Sequence, residues 1–366
     1  MNSDSSIAFV VDPLVPLGGA EKVLFAALEA FPHASIFTLV YNKPIFTNTP
    51  LANREIRTSG LNSFPLVQQY HRYLLPLMPA AIERLDLRPY DTIVSFNYAV
   101  ANGAKNYNGA RHISYTHTPM RYAWTDLNIN GTHSNKNRLI DAYLSRFRAW
   151  DRKAASRVHA IATNSRAVSQ RIRRAYGREA RIIHPPVEVD RFQPNPKRDD
   201  YFITVMRLMP YKRVDLLVRT FNELNLPLVI VGDGPEFPRL KRMANSNIKL
   251  LGYQPDETVA ELLGKARAFV CAAEEDFGIA IVEAQAAGCP VIAYGSGGAL
   301  ETVEDGVTGL LFPEQSASCI MDAVERFARG ETSFETDTMV KNARRFSKDR
   351  FLDEFAQFVK LIPTNQ

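Results

Sequence analysis

Glu275 and Glu283 are separated by seven residues in the stretch EEDFGIAIVE, with Phe277-Gly278 among them. The apolar run RAFVCAA just before predicts a strand that delivers Glu274, Glu275 and Asp276 to its carboxyl end. GIAIVEAQAAG then predicts a helix, with Glu283 more than one turn inside it. The N–H groups of Phe277, Gly278 and Ile279 fall at the helix start, where they lack intrahelical partners and suit an anion or a hydroxyl. A carboxylate binds vicinal hydroxyls by accepting two hydrogen bonds. Two carboxylates flanking a helix start therefore suit an elongated, polyhydroxylated anion. The helix dipole also favours acids at such a start, and spacing alone does not separate the two readings.

A second cluster is VMRLMPYKR, residues 205–213. Arg207 falls at the end of a predicted strand and Lys212 follows a Pro-Tyr turn. A guanidinium fork and an ammonium at one strand end can clamp a pyrophosphate and take up charge on a leaving diphosphate. The same two cations also suit a solvated surface. PLGGAEK places Gly18 and Gly19 between the first predicted strand and a helix, where backbone can approach a ligand. It is not G-x-G-x-x-G, which argues against a dinucleotide. VGDGP and YGSGG are similar strand-end loops that read equally well as plain turns. SYTHTPMRYAW puts His117 just past a strand, a position that suits either a site or a structural role.

These residues need strands to carry them. SIAFVVDPL, ASIFTLVYN, YDTIVSFN, RHISYTH and SRVHAIATNS read as strands in the first half. PPVEVDRFQPNPKRDD is rich in proline and charge and reads as a linker. A second α/β series follows, from YFITVMRL to TGLLF, and ends in an amphipathic helix, SKDRFLDEFAQFVKLI. The fold class expected is α/β, with two doubly wound Rossmann-like domains facing across a cleft. The expected boundaries are 1–188, 189–345 and a C-terminal helix, 346–366, packing back on the first domain.

The 366-residue chain carries a net charge of +5, spread unevenly. From His133 to Arg181 there are 13 Lys/Arg against three acids, a net of +10 that leaves about −5 elsewhere. Such a block suits a solvated face, an anionic membrane surface, an anionic substrate or a nucleic acid. It lacks interleaved aromatic pairs, so no nucleic-acid partner is expected. No window is apolar enough to span a membrane. MNSDSSIAFVVDP lacks the basic start and long apolar core of a secretory signal. Cys271, Cys289 and Cys319 have no metal-ligand spacing, and no metal site is expected. A cytoplasmic place is expected, with peripheral attachment to the inner face of the cell membrane as its extension.

Taken together, these residues resemble the retaining glycosyltransferases of family 4, with the GT-B architecture. The resemblance covers nearly the whole chain. It rests on Gly18-Gly19 with Glu21, on His117, on Arg207 with Lys212, and on Glu275-x7-Glu283 followed by Gly297-Gly298. THTPMRYAW resembles members that build bacterial polysaccharides. The resemblance implies that Arg207 and Lys212 hold the donor pyrophosphate and that Glu283 binds the ribose. Glu275 and the backbone at Phe277, Gly278 and Ile279 would hold the transferred sugar, and His117 would contact it. Gly18 and Gly19 would approach the phosphates and the acceptor. The base would lie near Gly232, Gly234, Gly252 and Tyr253.

The implied reaction moves a hexose from a nucleotide diphosphosugar to an acceptor hydroxyl without a divalent metal or a further cofactor. UDP-glucose is the first donor expected and GDP-mannose the second. The acceptor loops would be residues 45–90 and 125–145. Within 62–85, Phe64, Leu66, Tyr70, Tyr73, Leu74, Leu75, Leu77 and Met78 read either as a core helix or as an amphipathic surface touching lipid. With the basic block, the second option implies a glycan or lipid-pyrophosphate-linked acceptor. The alternatives are a UDP-sugar 2-epimerase of the same architecture and a non-catalytic basic protein that binds nucleic acid.

Overall fold

The computed structural model describes residues 6–125, 138–195 and 197–361. The chain forms two compact units. One runs to Pro186 and takes back the chain from Phe351; the other is Val187–Arg350.

The first unit is built on a seven-stranded parallel sheet of order β3-β2-β1-β4-β5-β6-β7. Its strands are β1 (Ile7–Val11), β2 (Ser35–Thr38), β3 (Ile56–Thr58), β4 (Thr92–Asn97), β5 (Arg111–Thr116), β6 (Ala160–Thr163) and β7 (Arg181–Ile182). The side-chain period of two splits β1 between two cores. Phe9 and Val11 join Val23, Leu24 and Leu28 of the helix Gly19–Ala30 on one face. Ala8 and Val10 join Met78, Ile82 and Phe147 on the other. Both faces are covered, so the strands read as apolar runs. β3 escapes such a reading: Ile-Arg-Thr at the sheet edge is mostly exposed.

The second unit repeats the plan with six parallel strands, β10-β9-β8-β11-β12-β13. They are β8 (Phe202–Val205), β9 (Leu228–Val231), β10 (Ile248–Gly252), β11 (Ala268–Cys271), β12 (Val291–Tyr294) and β13 (Gly309–Phe312). In each sheet the strand order reverses once, between β1 and β4 and between β8 and β11. The crevice beyond the carboxyl ends of those strands is where such sheets take ligands.

The C-terminal helix Lys348–Leu361 inserts Phe351 and Phe355 into the first unit's core. Phe355 lies 6.0 Å from Phe96, and Phe351 lies 6.0 Å from Tyr115. The proline-rich segment expected as a linker is anchored at its start: Val187, Val189 and Phe192 are buried in the second unit. Residues 62–85 do not form the single core helix that was one expectation. They break into Val67–Tyr70, His71–Leu74 and Met78–Ile82. Pro76 accounts for the gap before the last piece, since it has no N–H to give a helix, while Pro79 sits in that piece's first turn, where none is needed. Leu75 and Met78 are buried, while Phe64, Leu66, Tyr70, Tyr73 and Leu77 are exposed. Of the expected loop 125–145, residues 126–137 lie outside the described residues.

Candidate functional site

The reversal between β8 and β11 gathers the charged candidates of the second unit. Only Phe202 and Ile203 of β8 pair with β11, so the two strands part before their ends. Beyond β8 the chain runs through Arg207, which is exposed, into the turn Pro210–Lys212. Beyond β11 it runs through Glu275 to the helix Ile279–Ala286. Lys212 and Glu275 meet there: Nζ donates to Oε2 at 2.5 Å, and both side chains are mostly buried. The Tyr211 ring lies 5.6 Å from the same Nζ. Cys271, beneath them, is a buried thiol pushed up to about 12 by burial, with Glu275 adding to the rise. At that value it is protonated and inert.

Glycines hold the turn into the helix in place. Gly278 has φ +93 and caps the helix start, a conformation that L residues with a side chain avoid. Gly297 and Gly298 lie against this turn, and Gly298 donates its N–H to the Glu275 carbonyl at 2.7 Å. A Cβ on Gly298 would come within 2.3 Å of the Phe277 Cα. Phe277 points into the core and packs on Phe346 at 5.2 Å. Ile279 opens the helix, and Glu283 follows one turn later, only 6% exposed. Glu283 Oε1 accepts from Arg191 at 3.3 Å.

The base candidates stand one and two strands further out, after β9 and at the end of β10. Gly232 and Gly234 have a packing reason to be glycine. A Cβ on Gly232 would lie 1.9 Å from the Met206 carbonyl oxygen, and one on Gly234 2.4 Å from that of Leu208. The β9 loop thereby runs directly along the Arg207 loop, with Leu208 N–H donating to Asp233 at 2.9 Å. Gly252 accepts from Gly232 at 2.8 Å, and Tyr253 beside it is 69% exposed.

In the first unit, His117 follows β5 and is buried. Its N–H donates to the Asn97 carbonyl at 2.8 Å, and its carbonyl accepts from Asn164 Nδ2 at 3.0 Å. Tyr115 packs edge-on against its ring at 5.1 Å. Asn97 and Asn164, which end β4 and follow β6, were not singled out from sequence. The available signal was a polar residue closing each apolar run. Gly18 caps the helix Gly19–Ala30 with extended backbone, so its φ does not itself require glycine.

Asp12, at the end of β1, is a further group the motifs did not mark. It is fully buried and accepts N–H bonds from Tyr98, Ala99, Val100 and Ala101 at 2.6–3.1 Å. Burial pushes its carboxyl up to about 6, with the four donors opposing. The basic block divides. Arg146, Lys153, Arg166, Arg173 and Arg174 are exposed, whereas Arg178 donates to the carbonyls of Ala155 and Val158 at 3.0 and 2.9 Å.

Among the described residues, no helix is long and apolar enough to cross a membrane. Residues 187–346 match the family described as glycosyl transferases group 1, and residues 17–191 match Glycosyltransferase Family 4. The chain is 33% identical over 192 residues to the GDP-mannose-dependent alpha-(1-6)-phosphatidylinositol monomannoside mannosyltransferase of Mycolicibacterium smegmatis, covering 44% of this chain and 50% of that protein. It is 30% identical over 171 residues to the D-inositol 3-phosphate glycosyltransferase of Mycobacterium bovis, covering 40% of this chain and 36% of that one. The chain thus matches half or less of the length of these curated relatives. Anabaena HepE, solved in complex with UDP and glucose, shares the fold with TM-score 0.72 at 19% identity, covering 98% of this chain and 100% of that one. Sucrose-phosphate synthase of Thermosynechococcus elongatus does so with TM-score 0.73 at 17% identity, covering 96% and 98%.

Proposed function

The chain belongs to the family 4 glycosyltransferases of GT-B architecture, and on that premise we propose that it moves a hexose from a nucleoside diphosphosugar to a hydroxyl of a glycan or lipid-linked glycan, retaining the anomeric configuration. The observation that carries this reading is the Lys212–Glu275 pair at 2.5 Å beside the β8/β11 reversal, with Arg207 on the same loop.

In the reaction, the bond between the sugar C1 and the β-phosphate oxygen breaks. The acceptor oxygen bonds to C1 on the same face, and its proton passes to the leaving diphosphate. Arg207 and Lys212 take up the charge that grows on that diphosphate, so no divalent ion is needed at the leaving group. Glu275 and the N–H groups at Phe277, Gly278 and Ile279 hold the sugar hydroxyls. Glu283 accepts from the ribose, and Tyr253 with Gly252 lies beside the base. By the family resemblance, His117 is assigned to the sugar and Gly18-Gly19 to the phosphates.

GDP-mannose is the first donor to test, because the relative at 33% identity is named for it. UDP-glucose, the donor first expected from sequence, comes second and is supported by a fold neighbour alone. Transfer from each donor to a lipid-linked glycan would be followed by chromatography, and the product anomer read by NMR. Lys212→Ala is expected to lower kcat by about 100-fold, the usual loss for one charge-stabilising donor. An inverted product would end the retaining assignment. Conversion of a UDP-sugar with no acceptor would favour the epimerase.

Attachment to an anionic membrane belongs to the same proposal. Leu66 and Tyr73 are exposed on the segment 64–77, and the basic residues named above are solvated. Each cation near such a surface contributes about 1 kcal/mol. Flotation with anionic liposomes at low salt, lost on Leu66→Ser with Tyr73→Ser, is expected. Absence of binding at low salt would remove the membrane from the reading.

A further inference from the structure

Arg191 lies 92 residues from Glu283 in sequence, and no motif points to it. Its guanidinium is shared. One terminal nitrogen pairs with Asp256, and the other donates to Glu283 Oε1 at 3.3 Å. Its charged end lies 4.8 Å from the Phe192 ring. The backbone that presents it is held: Val189 and Phe192 are buried on either side, and Val187 N–H donates to the Phe346 carbonyl at 3.0 Å. Arg191 is thus carried by the stretch with which the chain enters the second unit at Val187.

We propose that Arg191 is the positioning residue for Glu283, aiming its carboxylate at the donor ribose and tying that carboxylate to the segment joining the two units. The proposal rests on the reading of Glu283 as the ribose contact. A carboxylate with a side chain only 8% exposed is costly to keep ionised without a cation. It must also be correctly turned to accept from two hydroxyls. A guanidinium can hold two carboxylates in one fixed plane, whereas a lysine ammonium is a point charge on a flexible stem. Asp256, on the helix Asp256–Lys265, anchors the other side of the fork. The fork therefore restricts how Glu283 can turn without occupying the phosphate clamp.

The test compares binding of GDP and UDP with binding of their dideoxyribose counterparts by calorimetry, in the wild type, Arg191→Gln, Arg191→Lys and Asp256→Asn. In the wild type, the nucleotide that binds should lose at least tenfold in affinity when its ribose hydroxyls are removed. Arg191→Gln should weaken the ribonucleotide by a similar factor and leave the dideoxy form unchanged, so that discrimination disappears. Arg191→Lys should not restore it. Should Arg191→Gln fail to fold, Arg191→Lys and Asp256→Asn, the latter at a half-exposed side chain, should show the same selective loss. Equal weakening of both nucleotides, or retained discrimination in the variants, overturns the role of Arg191 while leaving Glu283 as the ribose contact. A wild type that binds both forms equally removes the ribose role of Glu283, and the inference with it.

Discussion

Asp151 sits outside the candidate site and is fully buried. Its Oδ2 accepts from Trp124 Nε1 at 2.7 Å and from the Tyr176 hydroxyl at 3.0 Å, while Oδ1 has no hydrogen-bond partner among the described residues. Burial lifts the carboxyl from 3.8 to about 7. The two donors oppose the rise, and the Asp12 charge adds to it. Between those pH values the folded chain keeps a proton that the unfolded chain has lost. The stabilising contribution is therefore complete below about pH 4 and is lost as pH rises through 7, a span worth about 4 kcal/mol. Asp151→Asn cannot ionise. Its Tm relative to the wild type should rise between about pH 4 and pH 7 when both are scanned by calorimetry. Parallel curves would mean that Asp151 does not change protonation on folding. Trp124 closes the stretch that begins at His117, so this buried acid anchors the far end of a candidate sugar contact.

At the scale of elements, the loops after β8, β9, β11 and β12 are held by backbone touching backbone, and glycines permit it. Gly298→Ala should cost about 1–3 kcal/mol, because the atoms in its way belong to the Phe277 backbone and cannot swing aside. It should also raise the donor KM, since the displaced turn carries the Phe277, Gly278 and Ile279 N–H groups. Gly306→Ala is the control: its φ is +75 but nothing lies within 4 Å of the added carbon. It should cost about 1 kcal/mol from backbone strain and leave KM unchanged. Urea titration and steady-state kinetics read both quantities. Equal effects from the two substitutions would show that the close approach at Gly298 carries no weight.

For the molecule as a whole, the last helix belongs to the first unit although it follows the second in sequence. Phe355→Ala should lower stability by about 3–5 kcal/mol, the cost of a large aromatic cavity. Leu361→Ala, at a 71% exposed position on the same helix, should stay within about 0.5 kcal/mol. Denaturant unfolding measures both. A small loss for Phe355→Ala would mean that the first unit does not depend on the returning helix. Phe351 touches Tyr115, and Tyr115 touches His117. The end of the chain therefore backs a residue more than two hundred positions earlier.

Most strands and the principal helices were legible in the sequence because their signals are local. Buried parallel strands read as short apolar runs, and strand–loop–helix alternation alone implies parallel sheets. The Glu275–Glu283 spacing was legible for the same reason, since a strand end and a helix start separate the two acids. Local signals failed where an element draws its stability from elsewhere. β3 is a three-residue edge strand, and the segment 62–85 alternates buried and exposed apolar residues around three prolines. Contacts were decided by tertiary structure. Lys212 meets Glu275 across 63 residues, Arg191 meets Glu283 across 92, and Asn164 meets His117 across 47. Each distance in sequence is closed by the order of strands in a sheet or by the anchoring of a connecting segment. Neither leaves a periodic trace in the residues it brings together.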